Sequence, residues 1–285
     1  MRIIIIIFAM LFPLLAHAQT KPKIIASFSI IGDMTKQIAG DNIELKTLVG
    51  ANGDAHEYEP TPADAKALAN ADLVLVNGLH FEGWLDRLVK SSGYKGKIVV
   101  VSNGINAIPN DPHAWQNLQN GKIYVQNIAQ ALTEIDAEHA QIYNKNAQEY
   151  LHKIEQTDIW VKKEIAQVPV PKRKIISSHD AFTYFSAAYG VEFIAQQGVS
   201  TEAQISAQDM AKLIDQIRAQ KITALFVENM TDARLIKQLE KDAGAKLGGV
   251  LYSDALSAEN EPAPAYLLMF KHNVPLIVAA MLKNP

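Results

Sequence analysis

Residues 137–168 read AEHAQIYNKNAQEYLHKIEQTDIWVKKEIAQV, a stretch with neither proline nor glycine. Ile142, Leu151, Ile154, Trp160, Val161 and Ile165 recur in it at roughly helical spacing. The pattern predicts one long helix, ~45 Å if unbroken at about 1.5 Å per residue. Pro169 and Pro171 should end it, because proline cannot continue the hydrogen-bond ladder. Such a helix is a stiff connector and would resist large hinge closure between the parts it joins.

Before this stretch, β-branched runs at Lys23–Phe28, Ile43–Val49, Asp72–Val76 and Ile98–Val101 alternate with helical patterns at Ile31–Ala39, Pro62–Ala71 and Phe81–Val89. After it, runs at Lys174–Ser178, Val191–Ile194, Ala224–Val227 and Lys246–Leu251 alternate with helical patterns at Ala181–Tyr189, Ala207–Gln220, Asp232–Ala243 and Ala265–Lys283. Strand-helix alternation implies parallel sheets with helices on their faces. The expected fold is α/β, with two lobes at residues 19–136 and 169–285, each a parallel sheet flanked by helices, joined by one long backbone helix at residues 137–168. No sequence repeat relates the halves.

The chain begins with Arg2, an apolar run from Ile3 to Leu15, and Ala16-His17-Ala18 ahead of Gln19. This is the pattern of a cleavable signal peptide over residues 1–18, and the run is shorter than the roughly 20 residues of a membrane span. A net charge of −3 without a basic stripe argues against a nucleic-acid partner. With 285 residues, 48% of them hydrophobic, the chain can bury a substantial core. There is no cysteine, hence no disulfide framework and no lipid-modified cysteine at the cleavage point. The expected product is a soluble monomer in the periplasm, not lipid-anchored.

Four residues carry the chemistry. His56, His113, His179 and Asp254 each follow a predicted strand, the end at which open α/β sheets hold their ligands. Imidazole nitrogen and carboxylate oxygen suit zinc and other divalent first-row metals, and three nitrogens with one oxygen close a four-coordinate shell without substrate. A closed shell points to carriage of the metal and not to catalysis with it. Pro112 restrains the backbone at His113, and Asp111 is placed to support that ring. Glu57, beside His56, and Glu228, after the run Leu225-Phe226-Val227, are competing carboxylates, and His80 is a further histidine near enough to consider. A zinc hydrolase would need an open coordination position and a general base such as Glu57 or Glu228. The chain has no HExxH motif, since Tyr58-Glu59-Pro60 follows His56-Glu57.

Together, the segments Asp54–Pro60, Val76–Trp84, Asp111–Trp115, Ser178–Gly190 and Tyr252–Leu256 resemble the zinc- and manganese-binding solute-binding proteins of ABC importers, the ZnuA/TroA-like family. The likeness covers nearly all of the mature chain, in order and with similar spacing. It implies two lobes on a backbone helix, a metal between them held by His56, His113, His179 and Asp254, and delivery to a membrane-embedded ABC permease. Some relatives are also suggested to act in cell adhesion. Two departures stand out. The histidine- and acid-rich loop of many zinc members is missing after His56, so no second scavenging site is expected. After Trp115, Gln116–Gly121 replaces a proline-containing helix start. Manganese members often carry glutamate where this chain has His179, which makes zinc the expected ion and manganese the alternative.

Overall fold

The computed structural model describes residues 20–195, 198–201, 206–220, 222, 224–231, 239–244 and 246–284. The leader expected at residues 1–18 lies outside them, as does most of the helix expected at Asp232–Ala243, of which residues 239–243 are helical.

In the first half, β1 (Lys23–Phe28), β2 (Glu44–Val49), β3 (Leu73–Val76) and β4 (Lys97–Val100) form a parallel sheet in the order β2-β1-β3-β4. Its central strands place Ile24, Ala26, Leu73, Val74 and Leu75 out of solvent, as expected for a parallel sheet covered on both faces. Helices α1 (Ser29–Ala39), α2 (Pro62–Ala69) and α3 (Leu85–Ser92) connect the strands. α2 starts where Thr61 and Asp64 exchange side-chain-to-backbone hydrogen bonds, with Pro62 in the first turn.

A helix not foreseen in the sequence, α4 (Leu118–Ile135), follows directly on the Trp115 segment. Asn117 caps it by accepting from the Gln119 backbone N–H at 2.9 Å. Asn120-Gly121 looks like a turn signal, but the glycine serves packing: a Cβ there would lie 2.5 Å from the Tyr266 hydroxyl oxygen. A tertiary contact has overridden local propensity.

The long stretch forms α5 (Ala140–Ala166), preceded by a 3-10 turn at Ala137–His139 and hence shorter than expected, about 40 Å. Tyr143, Ala147, Tyr150, Ile154, Thr157, Asp158, Val161 and Ile165 form its buried stripe. Ile142 lies off that stripe and is exposed.

In the second half, β5 (Lys174–Ser177), β6 (Glu192–Ala195), β7 (Ala224–Glu228) and β8 (Lys246–Leu251) form another parallel sheet, ordered β6-β5-β7-β8. α6 (Thr183–Tyr189), α7 (Ala207–Gln220) and α8 (Tyr266–Met281) accompany it. α5 packs against α1 and α4 on one side and α6 and α8 on the other. One apolar core therefore runs through both halves, including Phe28, Trp115, Tyr143, Phe185, Tyr266 and Phe270. A smaller cluster, with Ile176, Leu213, Ile217 and Leu225, lies between α7 and the second sheet. Among the described residues, no helix is long and apolar enough to cross a membrane.

Candidate metal centre

Each of the four side chains is held by its own local device. β2 ends at Val49, and the chain then makes a loop in which Asp54 Oδ1 accepts from the backbone N–H groups of His56 at 2.8 Å and Glu57 at 3.4 Å. The Trp84 indole N–H ties the same loop down at the Ala55 carbonyl, 2.8 Å away. At His113, Asp111 Oδ1 accepts from the backbone N–H at 2.9 Å and lies 2.7 Å from Nδ1. The Asn77 amide donates to the Pro112 carbonyl at 3.0 Å and fixes this turn to the first sheet.

His179 follows the end of β5 by two residues, and Glu228 closes β7 beside it. Glu228 Oε1 accepts from the backbone N–H groups of Ser178 and His179, both at 3.0 Å. Glu228 Oε2 lies 2.6 Å from His179 Nδ1, although at an angle outside hydrogen-bond geometry. Asp254 stands just past β8, next to Ser253, whose carbonyl accepts from the Trp115 indole at 2.8 Å and the Gln116 amide at 2.9 Å. These two hydrogen bonds cross from the first half of the chain to the second.

The four groups meet. Asp254 Oδ2 lies 3.0 Å from His179 Nε2, 3.2 Å from His56 Nε2 and 3.5 Å from His113 Nε2, and the Nε2 atoms of His56 and His113 are 3.3 Å apart. One ligand atom from each residue falls within 4.8 Å of every other. A tetrahedral ion with bonds of roughly 2.0–2.1 Å would separate its ligand atoms by about 3.3 Å, so the cluster has the right dimensions. The chemistry agrees. With Nδ1 of His113 and His179 turned to carboxylates, their Nε2 lone pairs face a carboxylate oxygen, an arrangement that needs a cation or bound protons at its centre. Asp254 Oδ1 is buried without a hydrogen-bond partner, a further acceptor available to an ion.

The titration of the group shows the same tension. Burial opposes charge on His113, yet the Asp254 carboxylate and the Asp111 hydrogen bond raise its pKa above the ordinary histidine value. Burial likewise opposes charge on His179, and Glu228 and then Asp254 raise its pKa well above that value. Burial would raise Asp254, but His113 and His179 hold it well below the usual carboxylate range. Protons and a metal ion would compete for the same atoms of this cluster.

Phe81 and Trp115 wall the site, Phe81 meeting the His56 ring edge-on with centroids 4.8 Å apart. The other candidates fall elsewhere. Glu57 and His80 are exposed and outside the cluster, and Glu228 stands behind His179 and not among the converging atoms. Glu82 is a buried carboxylate that the sequence does not reveal. It accepts from Ser27 Oγ at 2.7 Å and from the backbone N–H groups of Asn77 at 2.6 Å and Gly78 at 3.1 Å. It thereby holds the turn in which Leu79 and His80 adopt left-handed backbone angles, φ +55° and +65°. A glutamate four residues after a Gly-bearing strand end was the only signal for it.

Two parallel-sheet halves on one backbone helix, with a cluster of three histidines and an aspartate drawn from both, define the class: binding proteins that hold a solute between lobes. The comparisons narrow this. The profile of the family described as ZnuA, zinc-uptake complex component A, periplasmic, matches residues 24–280, and the chain belongs to that family. The manganese ABC transporter substrate-binding lipoprotein PsaA of Streptococcus anginosus is 34% identical over 283 residues, covering 94% of this chain and 92% of that protein. The iron ABC transporter substrate-binding lipoprotein MtsA of Streptococcus pyogenes serotype M1 is 36% identical over 278 residues, covering 92% and 90%. The periplasmic zinc-binding protein TroA of Treponema pallidum superimposes with a TM-score of 0.88 at 30% identity, covering 92% of this chain and all of that one. The chain is thus a substrate-binding protein of a metal ABC transporter, a class that hands metal ions to membrane permeases.

The same names correct one expectation. The relatives PsaA and MtsA are lipoproteins, which overturns the reading of a protein that is not lipid-anchored. That reading came from the missing cysteine, which bears on one attachment chemistry only and does not carry the localisation drawn from it. A lipid chain keeps a binding protein at the membrane by burying its methylene groups there.

Proposed function

We propose that His56, His113, His179 and Asp254 are the ligands of one divalent transition-metal ion, and that zinc is the substrate this protein captures for its permease. The convergence of three imidazole nitrogens on one buried carboxylate oxygen supports this most directly. Three nitrogens and one oxygen suit a borderline ion, and the affinity order of first-row divalent metals ranks zinc above manganese at a given site. Manganese is the second reading, favoured by the name of a relative 34% identical. The finer readings go with it. Residues 1–18 are removed as a leader, the lobes span residues 19–136 and 169–285 with two ligands each, and the protein acts as a single copy.

Elemental analysis of the protein as isolated, followed by equilibrium competition among zinc, manganese and iron(II), tests this. One tightly held ion per chain is expected, with zinc displacing manganese. Zinc at about one hundred times its Kd should add about 2.7 kcal/mol to stability and raise the melting temperature, since all four ligands meet only in the fold. A protein isolated without metal, whose melting point none of the three ions moves, would sink the assignment.

A further inference from the structure

The three imidazoles are not held alike. His113 and His179 are fully buried, and each turns Nδ1 to a carboxylate, Asp111 at 2.7 Å and Glu228 at 2.6 Å. Both carboxylates are in turn fastened to the backbone of the ligand segments, Asp111 by the N–H of His113 and Glu228 by the N–H groups of Ser178 and His179. His56 has no such partner: among the described residues, no carboxylate faces its Nδ1, and its ion-pair contact is through Nε2. Its ring rests on the edge contact with Phe81, and it is the one residue of the four not fully buried.

We propose that His56 is the exchanging ligand, through which the ion enters and leaves, while His113, His179 and Asp254 form a preassembled half-site that stays in place. This rests on the four-ligand reading above. Turning His113 or His179 away from the ion breaks the metal bond, separates the ring from its carboxylate, and leaves that carboxylate buried and unpaired, which is costly. Turning His56 away breaks only the bond from Nε2 to the metal. The incoming donor, a water or a ligand group of the acceptor, then forms its bond to the ion at the position His56 has left.

The test uses the mature protein and zinc. Affinity is measured by competition with a chromogenic chelator, release by stopped flow into excess chelator, and folding by circular dichroism. His56→Gly should lose at least tenfold less zinc affinity than His113→Gly or His179→Gly, and millimolar imidazole should restore it, because the vacated position is reachable. Imidazole should not rescue the other two. Asp111→Asn and Glu228→Gln, which keep size and shape, should each speed zinc release by about 10–100-fold, the usual range for a residue supporting a metal ligand. These two variants and the His56→Gly rescue carry the test if His113→Gly or His179→Gly fails to fold. Equal or greater loss in His56→Gly, or absence of imidazole rescue there, overturns the exchange role while leaving the site intact. Unchanged zinc binding in every histidine variant would remove the four-ligand site itself, and this proposal with it.

Discussion

The two sheets share one strand order yet bring the four converging side chains together by different means. In the second sheet, His179 and Asp254 follow strand ends by two and three residues, past Ser177 and Leu251. In the first, His56 and His113 come from the edge strands β2 and β4, after longer excursions past Val49 and Val100. Both sheets reverse strand order at the same place, between β1 and β3 and between β5 and β7, where open sheets bind ligands. Each puts a buried glutamate there that accepts two backbone N–H groups, Glu82 in the first and Glu228 in the second. Glu228 supports His179, whereas Glu82 supports a turn. One sheet end is thus built as the edge of the proposed metal site, and the other as a platform on which loops carry His56 and His113 in.

The largest effect that would sharpen this contrast is the pH response of the metal-free protein. His113 and His179 have raised pKa values when folded, so their stabilisation is complete below the unfolded value of about 6.5 and is lost as pH rises through the folded values. Asp254 has a lowered value, so its contribution is present above about 3.8 and is lost as pH falls through the folded one. Metal-free protein should therefore melt highest between about pH 4 and 6.5. The gain in melting temperature from zinc should grow from pH 6 to 8, as protons stop competing. Calorimetry across that range checks both slopes; a metal-free protein that gains stability from pH 6.5 to 9 would contradict the arrangement.

A smaller effect separates the two glutamates. Glu82→Ala strands the buried N–H of Asn77 and the partly buried N–H of Gly78, and a buried orphan costs about 1–3 kcal/mol. Denaturant midpoints should drop accordingly, while zinc affinity moves less than about threefold, in contrast to the loss of roughly 10–100-fold for a group supporting a metal ligand. A large affinity loss in Glu82→Ala would erase the distinction between the platform and the edge of the proposed metal site. Smallest is Trp115→Phe. It removes one hydrogen bond to the Ser253 carbonyl, but Gln116 still donates there, so about 0.5–1.5 kcal/mol is expected in urea unfolding.

The sequence made the strands legible because parallel strands buried on both faces are short unbroken apolar runs, as at Leu73–Val76. It hid α4, because Gly121 looks like a helix breaker until the Tyr266 ring packed against it is seen. His56, His113, His179 and Asp254 were readable through their place after strands, although that reasoning holds closely only for His179 and Asp254. Glu228 looked equivalent to Asp254 by position. Only the fold shows that its oxygens are turned to Nδ1 and to backbone N–H groups, behind the ring and away from the converging atoms. The Trp84 tie to Ala55 was invisible, since a partner 29 residues away leaves no local pattern, and Glu82 left only its place four residues past Gly78.

α5 and the apolar core that continues through it from one half to the other leave little room for the halves to swing apart like jaws. A transporter meeting this protein would find nearly the same outline whether cargo is aboard or absent. Telling full from empty would then fall to a few residues of surface loop and not to an angle between bodies.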